Sequence, residues 1–151
     1  MPESGLQFAD ALSAARFSIT IDGYEIASFA ELAGITTEVK PEDFLEAPNQ
    51  EVFVKRIPGT RIPPTITLRR GMSRNTELWA WHETVIKGDI AAARKGASLS
   101  MFNAEGKPVA RFWLENAWPS KIEIAGLKAG ATEVLTETVT ITCEDLQRVA
   151  P

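Results

Sequence analysis

The stretch of sequence that decides the fold is residues 64–88, which read PTITLRRGMSRNTELWAWHETVIKG. Its first part alternates, with Ile66 and Leu68 separated by polar side chains. Because successive side chains of a strand point to opposite faces, this alternation predicts a strand over 65–69 with one buried face and one wet face. The polar members of the pattern are Thr65, Thr67 and Arg69.

The second part of the stretch has the spacing of an amphipathic helix. Gly71 ends the strand, and Ser73 or Asn75 can accept hydrogen bonds from the free N–H groups of a helical turn beginning at about Ser73. Gly88 supplies the left-handed stop that ends many helices. Apolar residues recur at three- and four-residue intervals between these signals, which predicts that one side of the helix packs on a sheet. This helical stripe consists of Leu78, Trp81, Val85 and Ile86.

The length and composition indicate one soluble domain. The chain has 151 residues, 44% of them hydrophobic, and a domain of this size can bury a self-sufficient core. No apolar run approaches the roughly twenty residues of a membrane span, and the N-terminus does not resemble a secretory signal. We therefore expect synthesis in the cytoplasm and no membrane segment. The net charge of −4 gives no support to nucleic-acid binding, which calls for a basic surface.

Alternating segments elsewhere predict about seven strands in total. Strands are expected over 16–21 and 24–29, joined by a tight turn at Asp22-Gly23, and over 35–40, 97–103, 109–118, around 122–124 and 133–144. In the last of these, Leu135, Val139, Ile141 and Cys143 alternate with threonine. The pattern favours a mainly β fold, an antiparallel sandwich or partly open barrel with one flanking α-helix. Residues 1–15 are interpreted as an N-terminal arm of a single domain over 1–151.

Residues 41–64 form a second predicted arm, which is rich in proline. Its prolines discourage regular pairing, and a connection of some twenty residues inside a small domain usually has a function or is disordered. The segment is nevertheless too apolar for a flexible linker, so we expect it to pack on a partner. Its apolar residues include Phe44, Leu45, Val52, Phe53 and Val54.

The residues that could carry chemistry do not form a recognisable site. His82 is the single histidine, and beside a core-facing position it is more often packed than catalytic. Cys143 is the single cysteine and lies on the apolar side of its strand, so we expect it to be inert. No phosphate-binding glycine pattern occurs, and the carboxylates, Glu137 among them, are interpreted as solvated. The sequence therefore predicts neither an enzyme nor a cofactor or metal site.

The order of these signals resembles the contractile tail tube protein family, over about Arg16 to Val149. The more specific blocks are Thr67-Leu-Arg-Arg-Gly71 and Asn116-Ala-Trp-Pro-Ser-Lys121, together with the helix and the closing strand. The family includes tail tubes of contractile phages and inner tubes of phage-like extracellular contractile injection systems. It is more distantly similar to the tube protein of type VI secretion.

The resemblance implies a structural subunit that forms hexameric rings by joining sheets edge to edge. It implies that the rings stack into a hollow tube with a sheath around it, baseplate and tube-end proteins at its ends, and in some systems cargo in the lumen. Two other functions stay open from the sequence: a tube-end adaptor or terminator ring, and a small β-barrel that binds an apolar ligand in its interior.

A tube of this kind predicts roles for two sets of residues. If the wet face of the sheet lines the channel, its polar side chains face the lumen and mix both charge signs. The candidates are Thr36, Glu38, Lys40, Thr65, Thr67, Arg69, Lys121 and Glu123. The arm, through its five apolar residues, is expected to cross to a neighbouring subunit or to the next ring, and to become fixed on assembly.

Overall fold

The computed structural model describes residues 13–47, 51–72, 74–125, 130 and 135–151. Within them the chain forms eight strands and two helices. In chain order these are β1 (Arg16–Ile21), β2 (Tyr24–Phe29), β3 (Glu31–Glu46), β4 (Phe53–Gly71), α1 (Glu77–Ile86), α2 (Ile90–Ala93), β5 (Lys95–Phe102), β6 (Pro108–Ile124), β7 (Thr136–Thr142) and β8 (Asp145–Val149). Three predictions fall partly outside the described residues: the N-terminal arm at residues 1–12, the helix start at Ser73 and the first part of the last strand at 133–134.

All strand pairs are antiparallel, and the strand order is β2-β1-β5-β6-β7-β4-β3, with β8 also paired to β6. Over the described residues the sheet does not close into a barrel. The predicted mainly β class with a flanking helix is therefore confirmed. At the tip of the first hairpin Asp22 and Gly23 both have positive φ, 51° and 83°, which suits the right-handed twist of the strands they join.

Strand β6 belongs to two layers of this folded sheet. Its first part pairs with β5 and β8, and its last part pairs with β7. Between the two parts Asn116 has a φ of 48°, and the register with β5 shifts beside it. A bulge of this kind bends a strand and increases its twist, so β6 passes from one layer to the other. We call the layer of β3, β4, β7 and the last part of β6 the second layer.

One hydrophobic core joins the two layers and α1. Ile19, Leu99 and Leu114 come from the first layer, and Leu78 and Trp81 come from α1. The second layer contributes Ile66, Leu68, Val139 and Ile141, all fully buried. The indole nitrogen Nε1 of Trp81 donates a hydrogen bond to the carbonyl oxygen of Ala93 at 2.6 Å, which ties α1 to α2. Burial of the Leu78 and Trp81 part of the helical stripe is thus confirmed.

Several predicted boundaries are wrong. Helix α1 begins at Glu77 rather than near Ser73, although Asn75 does accept a hydrogen bond, from the backbone N–H of Glu77 at 2.9 Å. Helix α2 and strand β8 were not predicted. Strand β6 continues through Pro119 to Ile124. Proline has no backbone N–H to donate, but the strand tolerates this because the register with β7 shifts beside Pro119.

The helical stripe is shorter than predicted. Val85 is only half-buried and Ile86 is 70% exposed, so the expectation that both are buried in the subunit is wrong for Ile86. The buried residues of α1, Leu78 and Trp81, lie in its first two turns, and Ile86 in its last turn is exposed.

Candidate assembly surfaces

The polar face of the second layer is built by strict alternation on β4 and β7. Ile66, Leu68, Val139 and Ile141 face the core, and the residues between them face outward. Register places the outward residues in rows across the strands. The rows are Thr36, Thr65 and Thr142; then Thr67, Thr140 and Lys121; and then Glu31, Arg69, Thr138 and Glu123.

All eight predicted lumen residues lie outside the core. Thr65 and Thr67 are half-buried among their neighbours, and the other six are exposed. Glu38 and Lys40 lie further along β3, past Thr36. The structure therefore brings six of the eight together in rows on one face of the second layer, and Glu38 and Lys40 lie beyond a register shift in β3.

The charges on this face balance. The Arg69 guanidinium lies 3.3 Å from the Glu31 carboxylate, and the Lys121 ammonium lies 3.5 Å from the Glu123 carboxylate. The rows therefore carry two cations, Arg69 and Lys121, and two anions, Glu31 and Glu123. Exposed pairs of this kind contribute little stability, but they leave the surface with no net charge.

The opposite side of the same two strands hides an ion pair that the sequence did not reveal. Arg70 on β4 lies directly across from Glu137 on β7, and Nε of Arg70 is 3.0 Å from Oε2 of Glu137. Both side chains are almost completely buried, and the guanidinium also lies 5.4 Å from the centre of the Phe29 ring. The interpretation of Glu137 as a solvated carboxylate is therefore wrong.

Two edges of the second layer have no partner strand among the described residues. One edge is β3, which pairs only with β4, and the other is the 120–124 part of β6, which pairs only with β7. Just before the second edge, Nδ1 of His82 donates a hydrogen bond to the carbonyl oxygen of Pro119 at 2.8 Å. This bond and the half-buried ring confirm His82 as a packed side chain. Unprotected edges can pair with another chain.

The arm is a β-hairpin rather than a loop. Residues 41–46 of β3 pair with 53–58 of β4, with Pro41 opposite Pro58, so the expectation that the prolines prevent regular pairing is wrong. The register shifts near these prolines accommodate them. Ion pairs between Asp43 and Arg56 and between Glu46 and Lys55 brace the hairpin.

The apolar side chains of the arm remain exposed in the subunit. Their exposed fractions range from 43% to 71%. The five residues concerned are Phe44, Leu45, Val52, Phe53 and Val54. At the base of the hairpin Arg61 pairs with Asp145, and beyond this point the arm leaves the body of the subunit. The arm therefore carries apolar surface that the subunit itself does not cover.

An apolar groove of about 440 Å³ lies at the end of α1. Val85, Ile90, Ala93 and Trp118 supply its apolar lining, and an ion pair between Arg94 and Glu144 lies at its rim. Trp118 is opposite Thr142, so the groove lies at the end of the second layer from which the arm departs. The sequence did not predict this groove, because its lining comes from four separate elements.

The described residues contain no group of three or more histidine, cysteine, aspartate or glutamate side chains placed to hold a metal ion. Cys143 is buried on the apolar side of its strand as predicted, and burial raises the pKa of its thiol to about 11. The negative charge of Asp145 also raises this pKa, and the positive charge of Arg61 lowers it to a smaller extent. No helix in the described part of the chain is long and apolar enough to cross a membrane.

Comparisons with known proteins agree with this geometry. The family described as T4-like virus tail tube protein gp19 matches residues 13–147. A chain of the sheath-tube complex of the extracellular contractile injection system PVC, in its extended state, is similar in structure with a TM-score of 0.76 and 18% identity, covering 97% of this chain and 95% of that chain. No curated protein sequence matches the chain.

Two further solved structures are similar. A chain of the PVC sheath/tube terminator has a TM-score of 0.72 and 19% identity, covering 95% of this chain and 99% of that chain. A chain of the anti-feeding prophage baseplate, solved with 6-fold symmetry, has a TM-score of 0.72 and 18% identity, covering 93% of this chain and 96% of that chain. At these identities the likeness concerns the fold.

Proposed function

The chain belongs to the T4-like virus tail tube protein family, and we propose that it is the subunit of an inner tube, in a contractile injection system or a contractile phage tail, that assembles as stacked hexameric rings. The observation that carries this proposal is the second layer. It combines a core-facing side, a polar side whose charges are paired and, within the described residues, an unpaired edge at each end. The role is structural, and no reaction is assigned to it.

The two free edges explain how identical subunits can form a closed ring. Edge β3 of one subunit and the 120–124 edge of its neighbour are different surfaces, so their contact is head-to-tail, and such contacts close into rings when the rotation allows. Strand directions alternate across the second layer, so a neighbour's β3 beside β6 would continue the antiparallel pattern. The 6-fold symmetry of the anti-feeding prophage structure supports a hexamer.

The polar face would then line the channel. Rows of threonine and balanced charges offer hydrogen bonds without a strong net field, so a passing cargo would not be held tightly. Six of the eight lumen candidates lie in these rows, and Glu38 and Lys40 lie further along β3.

The arm supplies the contact that one ring needs with other subunits. Its exposed apolar side chains would be covered on assembly, and the paired hairpin loses less conformational entropy in that step than an unstructured loop would. A sheath, a baseplate and tube-end proteins are the other partners that we propose, since the similar chains come from sheath-tube, terminator and baseplate structures. The subunit would be made in the cytoplasm and act as part of an injection particle or virion tail.

A tube-end adaptor or terminator ring is the second candidate, because the terminator chain is covered almost completely. Such a protein would have the same sheet but would cap the tube instead of stacking further rings on it. Long tubes formed by the purified protein would therefore exclude this role. The ligand-binding barrel has little support, since the described residues form an open sheet around a filled core.

The arm provides an experiment on this function. The double variant Phe53→Ser/Val54→Ser removes exposed apolar surface from a hairpin that lies outside the core. We expect a soluble subunit with an unchanged far-ultraviolet spectrum that no longer forms long tubes in analytical ultracentrifugation or electron microscopy. Tubes of normal length and stability from this variant would contradict the role of the arm.

A further inference from the structure

Exposed apolar side chains lie on both faces of the arm, and one of these faces also carries the ion pair between Glu46 and Lys55. Side chains opposite one another across a hairpin share a face, and alternate positions along each strand share it too. Phe44 is opposite Lys55, and Phe53 is opposite Glu46, two positions further along, so both aromatic rings lie on one face. Leu45 and Val54 are opposite each other and occupy the other face. A single flat contact would leave one of these faces in water.

We propose that the aromatic face of the arm, formed by Phe44 and Phe53, docks into the groove at the end of α1 of a neighbouring subunit of the same ring. This contact rests on the tube function proposed above, and it identifies the groove as the receptor of the arm. The Leu45 and Val54 face is then left for a subunit of the adjacent ring.

The direction of the strands carries the first step of the argument. In each subunit β3 runs past Thr36 into the arm, and Thr36, Thr65 and Thr142 form the row that ends beside Trp118. When a neighbour's β3 lies along the 120–124 edge, antiparallel to β6, its arm leaves at the Trp118 end. The groove lies at that end. Six paired residues on each strand give the arm a reach of about 20 Å beyond the sheet.

The chemistry of the groove carries the second step. Most of its described lining is apolar, and the charges among these described residues are those of the Arg94 and Glu144 pair. The Glu144 carboxylate also accepts a hydrogen bond from Nδ2 of Asn116 at 2.7 Å. No unpaired charge would therefore be buried by an apolar guest. Buried aromatic anchors in apolar pockets are the usual source of interface affinity. No side chain of the described part of the arm lines the groove of its own subunit.

Two isoleucines at the end of the helical region provide a matched pair of variants. Ile90 lines the groove and is 59% exposed, whereas Ile86 is 70% exposed and lies outside the lining. Both Ile90→Glu and Ile86→Glu should fold, since neither side chain is in the core. We expect Ile90→Glu to raise the protein concentration needed for ring formation about tenfold or more, the loss typical of a charge placed at an interface anchor. Ile86→Glu should assemble like the parent.

Disulfide cross-linking tests the same contact without weakening it. In the variant Phe44→Cys/Ile90→Cys, oxidation of assembled protein should give a ladder of covalent multimers on a non-reducing gel. Leu45→Cys/Ile90→Cys, with the thiol on the other face of the arm, should give far less. Native Cys143 is buried and should not contribute.

The outcomes separate this inference from the function on which it rests. Parent protein that never forms rings or tubes would overturn the tube function. Parent protein that assembles, together with an Ile90→Glu variant that assembles equally well, would overturn the groove as receptor. Equal cross-linking yields from the Phe44 and Leu45 variants would also overturn it, because the faces of the arm would then not be distinguished.

Discussion

The buried ion pair between Arg70 and Glu137 makes a quantitative prediction about the subunit. Replacing Glu137 by Leu removes the only carboxylate among the described residues that lies within hydrogen-bond distance of the Arg70 guanidinium. It leaves a charge in a site where the Arg70 side chain is 6% exposed. Stranding a buried charge in this way costs about 3 to 5 kcal/mol. For a domain of this length that corresponds to a melting temperature lower by roughly 6 to 20 °C.

The reverse single variant and the double variant complete the test. Arg70→Met should be destabilising to a similar extent, because it leaves the Glu137 carboxylate without its partner. The double variant Arg70→Met/Glu137→Leu should be more stable than either single variant, since a buried pair can often be replaced by apolar residues at little cost. Denaturant titration of the unassembled subunit, followed by circular dichroism, measures all three free energies of unfolding.

A control comes from the other face of the same strands. Lys121 and Glu123 form an exposed pair beside β7, so Glu123→Gln should unfold at the parent temperature. The reasoning would be refuted if the cost of the double variant equalled the sum of the two single costs. Additivity of that kind would mean that the two charges do not depend on each other.

Three further predictions concern the core, the polar face and the cysteine. Trp81→Ala should destabilise the subunit by about 3 to 5 kcal/mol in denaturant titration, because it empties a buried aromatic site. Ile86→Ala, at an exposed position of the same helix, should have little effect. Equal stability of Trp81→Ala and the parent would contradict the packing of α1. Lys121→Gln/Glu123→Gln should leave tube length in electron micrographs unchanged, because neither side chain is in the core, and loss of tubes would argue against a lumenal position. The folded-state pKa of Cys143 is raised from 9.0 to about 11, so the stability that the neutral buried thiol contributes is fully present below pH 9 and is lost as pH rises toward 11. Over that interval the free energy of unfolding of the parent should fall relative to that of Cys143→Ala. Free energies of the two proteins that change in parallel with pH would contradict the burial of the thiol.

The sequence predicted part of the second layer well because two of its strands, β4 and β7, follow a simple alternation over residues 64–70 and 136–142. Threonine alternates with Val139, Ile141 and Cys143, and the structure keeps this alternation from end to end. The Asp22-Gly23 turn was equally clear, since few other residue pairs adopt two positive φ angles. Such signals are local, and tertiary contacts reinforce them here.

The features that the sequence did not reveal depend on contacts between distant residues. Glu137 has the spacing of a core-facing residue but the chemistry of a solvated one, and only the position of Arg70 on a separate strand resolves the conflict. In the sequence Pro119 resembles the end of a strand. In the structure β6 continues past it, because the register with β7 shifts beside the proline and its missing N–H is accommodated there. The apolar character of Ile86 suggested burial, yet its side chain is 70% exposed in the last turn of α1.

The strand pairing of the arm was missed for a different reason. Its prolines predicted a loop, but Pro41 and Pro58 lie opposite each other close to a register shift between β3 and β4, so few hydrogen bonds are lost. Pairing over that distance is invisible to any short window of sequence. The exposed apolar character of the arm, by contrast, followed directly from Phe44, Leu45 and Phe53.

Negative-stain electron microscopy of concentrated, purified protein tests the central claim most directly. The account predicts annular particles with an open centre, stacked into tubes of uniform diameter whose abundance rises with protein concentration. Monodisperse particles of single-subunit size at every concentration would contradict the assignment of this chain as the subunit of a tube.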